Sequence, residues 1–89
     1  MEPVSNQVIE HALKQQLPEA AIYVSGDGYK YETVVVSEHF AGKNTLQRHK
    51  QIYAVLNTYI NSGQLHALTI KTYTPEEFQN TPYATLPRS

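Results

Sequence analysis

The sequence predicts an α+β fold: one small domain in the order helix, strand, strand, helix, strand, helix, with a three-stranded sheet and the helices on one face. Three observations predict it. Residues Ser5 to Leu17, and Asn44 or Thr45 to Asn61, carry apolar side chains at helical spacing. Two strand-like runs flank Gly26-Asp27-Gly28, which has hairpin-turn chemistry. A third such run, Leu65 to Thr74, leads straight into Thr74-Pro75-Glu76-Glu77, a helix start. Helices laid on a three-stranded sheet bury these stripes in two layers.

The first helix places Val8, Ile9, Ala12, Leu13 and Leu17 on one stripe, with Ser5 as its N-cap. Pro18 ends it, because proline disfavours the α conformation in the residue before it. Ala21 to Ser25 is a short strand, and Tyr29 to Ser37 a second one. The run Val34-Val35-Val36 makes the second strand the more buried. Phe40 to Lys43 is a connection. In the long helix Leu46, Ile52, Tyr53, Leu56, Tyr59 and Ile60 fall near one face, and Asn61-Ser62-Gly63 stops it, glycine suiting the left-handed position after a helix. The last helix has Thr74 as N-cap, Pro75 at the first position and two acids in the first turn, where the helix dipole favours them. The domain is expected to span residues 1–79, with residues 80–89 a flexible tail.

Composition narrows the function. The chain has 89 residues and a formal charge of −1, so any nucleic-acid contact must come from a local patch. A core this small leaves little room for a catalytic cavity, and an enzyme is not expected. The absence of cysteine excludes disulfides and thiolate metal sites built by this chain alone. The start, Met1-Glu2-Pro3, is followed by no long apolar run, so a cytoplasmic protein with no signal peptide and no membrane span is expected.

Without thiolates, the best soft-metal ligand is imidazole. Of the four histidines, at 11, 39, 49 and 66, none pairs at the i, i+4 spacing of a helical metal site. His66 opens the third strand and shares parity with Leu68 and Ile70, so from its position alone it is either a ligand or a satisfied histidine at the core edge. His49 lies three and four residues before Ile52 and Tyr53, beside the buried face, which suits a structural histidine with a hydrogen-bond partner. His11 and His39 read as surface residues. Glu76 and Glu77 are used by the helix start, and no acid–base pair is read into them. Lys43, Arg48 and Lys50, with Lys71 as a further member, form a local basic cluster around a helix-turn-helix-like unit, to be weighed against a solvated face.

Four ordered motifs, Val24 to Gly28, Val34 to Lys43, Gln47 to Tyr53 and His66 to Glu77, cover roughly residues 5 to 79. In them the chain resembles the BolA family and its bacterial IbaG/YrbA-like branch. The resemblance implies a fold akin to the type II KH domain. It implies a non-enzymatic role in iron–sulfur and iron homeostasis and in stress response, as partner of a monothiol glutaredoxin. A [2Fe-2S] cluster would be shared with the glutaredoxin and its glutathione, with His66 as the ligand from this side; alone, the chain would hold no cofactor and be a monomer. Imidazole can replace thiolate on one iron, as Rieske-type centres show. Relatives often place Cys or His in the loop between the first two strands. Lys30 is the nearest match here, and the second ligand stays unassigned. The alternative function is a DNA-binding transcriptional regulator that uses Lys43, Arg48 and Lys50. No Gly-x-x-Gly loop of the RNA-clamping kind is present.

Overall fold

The computed structural model describes residues 5–27, 29–65 and 67–81. Its elements are α1 (Asn6–Gln16), β1 (Ala21–Gly26), β2 (Lys30–Val36), a single 3-10 turn (Glu38–Phe40), α2 (Thr45–Asn61), β3 (Ala67–Tyr73) and α3 (Pro75–Gln79), which is the predicted order. The sheet order is β1-β2-β3. β1 and β2 form an antiparallel hairpin, and β2 and β3 run parallel, joined by the α2 crossover. A parallel neighbour needs such a crossover, which is why a 17-residue helix separates β2 from β3.

Local chemistry sets the boundaries. The Ser5 side chain accepts from the Val8 N–H and starts α1. Asn44 and Gln47 form a reciprocal capping box at α2, and Thr74 and Glu77 form another at α3. Gly63 adopts φ +82° just past α2, the left-handed conformation that halts the helix. At the hairpin turn the Asp27 carboxylate accepts the Tyr29 and Lys30 N–H groups at 2.9 and 2.8 Å. Gly28, also assigned to this turn, lies outside the described residues.

The main core lies between α1, α2 and one sheet face. Ile9, Leu13, Ile52 and Leu56 from the helices meet Ile22, Tyr31, Val35 and Ile70 from the strands, closed by Leu17, Phe40 and Leu65. β2 is buried along most of its length, as its valines foretold.

Two details differ from the sequence reading. α1 and α2 share one sheet face, but α3 serves the other: Phe78 packs on Val34 and Val36, with Tyr73 beside them. Strand parity explains this, because Tyr73, Val34 and Val36 alternate with the core-facing Ile70 and Val35. Leu46 and Tyr53, assigned to the apolar face of α2, are 63% and 44% exposed. Seven residues apart, they share a face, but one turned about 100° from the Ile52–Leu56 line. The residue that does extend that line is Arg48, one turn before Ile52 and 9% exposed.

Residues 82–89, most of the expected tail, lie outside the described residues.

Candidate functional site

Two ends of the sheet carry the residues singled out from the sequence. At one end β2 and β3 begin side by side, with Lys30 in register with Ala67. The Ala67 N–H donates to the Tyr29 carbonyl at 3.4 Å, which ties the start of β3 to the hairpin tip. Leu65 on the approach to β3 is buried, while Tyr29 is 65% exposed and Lys30 is also exposed. His66, the sequence candidate for a metal ligand, falls between Leu65 and Ala67 in the chain and lies outside the described residues.

The donor chemistry of this end is sparse. Hydrogen bonds from the Lys30 and Tyr29 N–H groups hold the Asp27 carboxyl below its ordinary range, so it is an anion at neutral pH with its Oδ1 already engaged. Lys30, in the position where a second ligand was sought, presents an ammonium with no lone pair. Among the described residues no three His, Cys, Asp or Glu side chains gather into a metal site.

At the other end, where β2 and β3 finish, the basic cluster separates into its members. The Arg48 guanidinium turns inward. It donates to Glu77 Oε1 at 2.7 Å and Oε2 at 3.2 Å, reaches the Thr72 carbonyl at 3.4 Å, and lies over the Phe40 ring at 5.7 Å from its centroid. Arg48 is therefore a structural cation joining α2, β3 and α3, and its charge is spent inside the molecule. Its Nε is buried without a partner among the described residues, so the fork to Glu77 carries most of the compensation. That hydrogen bond, helped by the Thr74 N–H, pulls the Glu77 carboxyl down to about 2.

Lys43 and Lys50 are exposed, and Lys43 Nζ donates to Gln51 Oε1 at 3.2 Å. Lys71 lies on the opposite sheet face, 3.8 Å from Glu32, and does not join them. His49 is half-buried as expected, but the hydrogen-bond partner expected for it is not found among the described residues.

One cluster escaped the sequence reading. Glu19, after α1, accepts the Ser37 hydroxyl at 2.6 Å and stands 3.1 Å from His39 Nε2. The three residue types of a hydrolytic triad meet here, but in the wrong order. The Ser37 proton points to the carboxylate rather than to an imidazole, and Ser37 also accepts the His39 N–H to start the 3-10 turn. The cluster fastens the α1–β1 connection to the end of β2. Its members are 18 and 20 residues apart, and no local pattern signals it.

The fold, three helices and a three-stranded sheet with a hairpin and a parallel third strand, defines a small α+β domain of the kind found in BolA structures. The model of BolA-like proteins matches residues 1–77, and the chain belongs to the BolA family. A bolA protein homologue from Coxiella burnetii has a similar structure, with TM-score 0.74 and 35% identity, covering 85% of this chain and 97% of that one. In sequence the chain is 33% identical to the acid stress protein IbaG of Escherichia coli K12 over 75 residues, 84% of this chain and 89% of the relative. It is 32% identical to the DNA-binding transcriptional regulator BolA of the same strain over 89 residues, 97% of this chain and 78% of the relative. Among the described residues no helix is long and apolar enough to cross a membrane.

Proposed function

We propose that this chain is a BolA-type accessory protein that docks a monothiol glutaredoxin and shares a [2Fe-2S] cluster with it through His66, in iron–sulfur and iron homeostasis and in stress response. The supporting observation is the junction of the hairpin tip with the start of β3: the segment that carries His66 is tethered by Ala67 to Tyr29 and flanked by an exposed loop. The chain has no cysteine, and the described residues of this end gather no closed set of ligands; in this reading the chain supplies one part of a cluster's coordination. A cluster assembled there takes its sulfurs from the partner and from glutathione. One imidazole in place of a thiolate raises the potential of the iron it binds. Asp27 is poorly suited as a second ligand, since carboxylate oxygen is hard and the cluster is built on soft sulfur. The role asks for no catalysis by the chain, and docking takes place in the cytoplasm.

The test is a titration of cluster-loaded glutaredoxin with this protein, followed by visible absorption and circular dichroism. Wild type is expected to change both spectra, and His66→Ala to leave them close to those of glutaredoxin alone. Identical spectra for the two proteins would remove the ligand role from His66.

The regulator reading is less well supported. Of its three cations, Arg48 is committed to Glu77, which leaves Lys43 and Lys50. Two phosphate contacts give a salt slope of only about −2 in log K against log salt, far from that of a strong duplex binder.

A further inference from the structure

The outer face of α2 is not explained by the fold or by the cluster site. Leu46, Lys50 and Tyr53 are spaced i, i+4, i+7 and so line one stripe. Leu46 is 63% exposed, Tyr53 44%, and Lys50 is exposed too. Lys50 has no partner among the described residues. Among the described residues Lys43, just before the helix, is held only by a neutral amide, that of Gln51. The 17 residues of α2 include no Asp or Glu, and Arg48, the cation that is neutralised, points the other way. The stripe thus alternates two apolar side chains with positive charges that no carboxylate compensates among the described residues. It lies at the start of α2, beyond the ends of β2 and β3, whereas the hairpin tip lies at their beginnings.

We propose that this stripe docks a protein segment of acidic amphipathic character, an apolar residue or two flanked by carboxylates, at a site separate from the cluster site. Charge complementarity selects the acid, because the stripe offers ammonium groups and nothing negative on the helix itself. The apolar pair selects protein over nucleic acid. A phosphate backbone gains nothing from Leu46, whereas burial of an exposed leucine and tyrosine drives association between proteins. Sequestration of Arg48 points the same way, since it removes the bidentate phosphate donor and spares the two lysines. Tyrosine is among the residues enriched at the centre of such interfaces, and the lysines suit its charged rim.

Amide chemical-shift mapping on the full chain tests this with three probes: a helical peptide with glutamates flanking an apolar stripe, the same peptide with lysines in place of the glutamates, and a duplex oligonucleotide. The acidic peptide is expected to shift the amides from Lys43 to Tyr53 and to leave the hairpin tip unmoved. Its Kd is expected to rise about tenfold in Leu46→Ser and again in Lys50→Glu, both at exposed positions where the fold tolerates change. A circular dichroism spectrum equal to wild type checks that tolerance, and Tyr53→Ser serves as the third variant if either one misfolds. Equal binding of the acidic and basic peptides, or binding of neither below about millimolar, overturns the proposal. So does duplex DNA that binds the same amides more tightly than the acidic peptide and is indifferent to Leu46→Ser. Because His66 plays no part in this readout, failure here leaves the cluster reading untouched, and failure of the cluster titration leaves this one untouched.

Discussion

Arg48 occupies the buried stripe of α2, where an unpaired guanidinium would be costly to desolvate. Glu77 meets it from α3 and at the same time caps its own helix through the Thr74 N–H. The depressed folded-state pKa of Glu77, about 2 against an ordinary 4.5, fixes the sign of the pH dependence. The carboxylate stabilises the fold fully above pH 4.5, and that contribution is lost as the pH falls from there toward 2. Urea unfolding at neutral and acid pH should show wild type losing stability across this window. Glu77→Gln should begin about 1–2 kcal/mol less stable at neutral pH, a figure held down because Glu77 is half exposed, and should decline less steeply in acid. Parallel declines in the two proteins would mean that Arg48 does not depend on this carboxylate. Removing the cation instead, in Arg48→Met, keeps the packing volume of the stripe while freeing Glu77. Its carboxyl should then titrate closer to the ordinary range, which carbon-detected NMR reads directly.

The elements are held by short-range chemistry, and that is why so much of them was legible in the sequence. Caps at Ser5, Asn44 and Thr74, the αL glycine at 63 and the Asp27 turn each act within a few residues. Replacing Thr74 by Ala should cost about 1 kcal/mol in thermal or chemical unfolding, since it releases the Glu77 N–H and disturbs the carboxylate that holds Arg48. Gly26 is a sharper case. A Cβ there would lie 2.8 Å from the Lys30 carbonyl and 2.6 Å from the Tyr31 ring, so Gly26→Ala must push the hairpin apart. It should destabilise the protein by about 1–3 kcal/mol and shift the amides of residues 27 to 31; an unchanged melting temperature would contradict the close approach. What escaped the sequence had a physical reason in each instance. Periodicity counted Leu46 and Tyr53 as apolar but could not tell a core stripe from a neighbouring one. Arg48 marks the true stripe, and hydrophobicity alone passes over a charge. The side of the sheet chosen by α3 depends on the parity of Tyr73, and Phe78 follows from it. The Glu19–Ser37–His39 contact joins residues that meet only after the sheet has formed.

At the scale of the whole molecule, the parallel pairing of β2 with β3 sets apart the two ends of the sheet to which the two proposals belong. One brings the hairpin tip to the segment that carries His66; the other exposes the start of α2 with its lysines, leucine and tyrosine. The core between them, from Ile9 on α1 to Ile70 on β3, is continuous. Family membership follows from the match over residues 1–77, and the motif around His66 gives the cluster reading its residue. The measurement that tests that reading most directly is circular dichroism in the visible region during titration of a [2Fe-2S]-loaded monothiol glutaredoxin, run in parallel with wild type and His66→Ala. Shared ligation predicts new bands that saturate near one equivalent of wild type and are absent with the variant, while the variant retains the wild-type fold. Spectra that never depart from those of the glutaredoxin alone, or that change equally with both proteins, would contradict it.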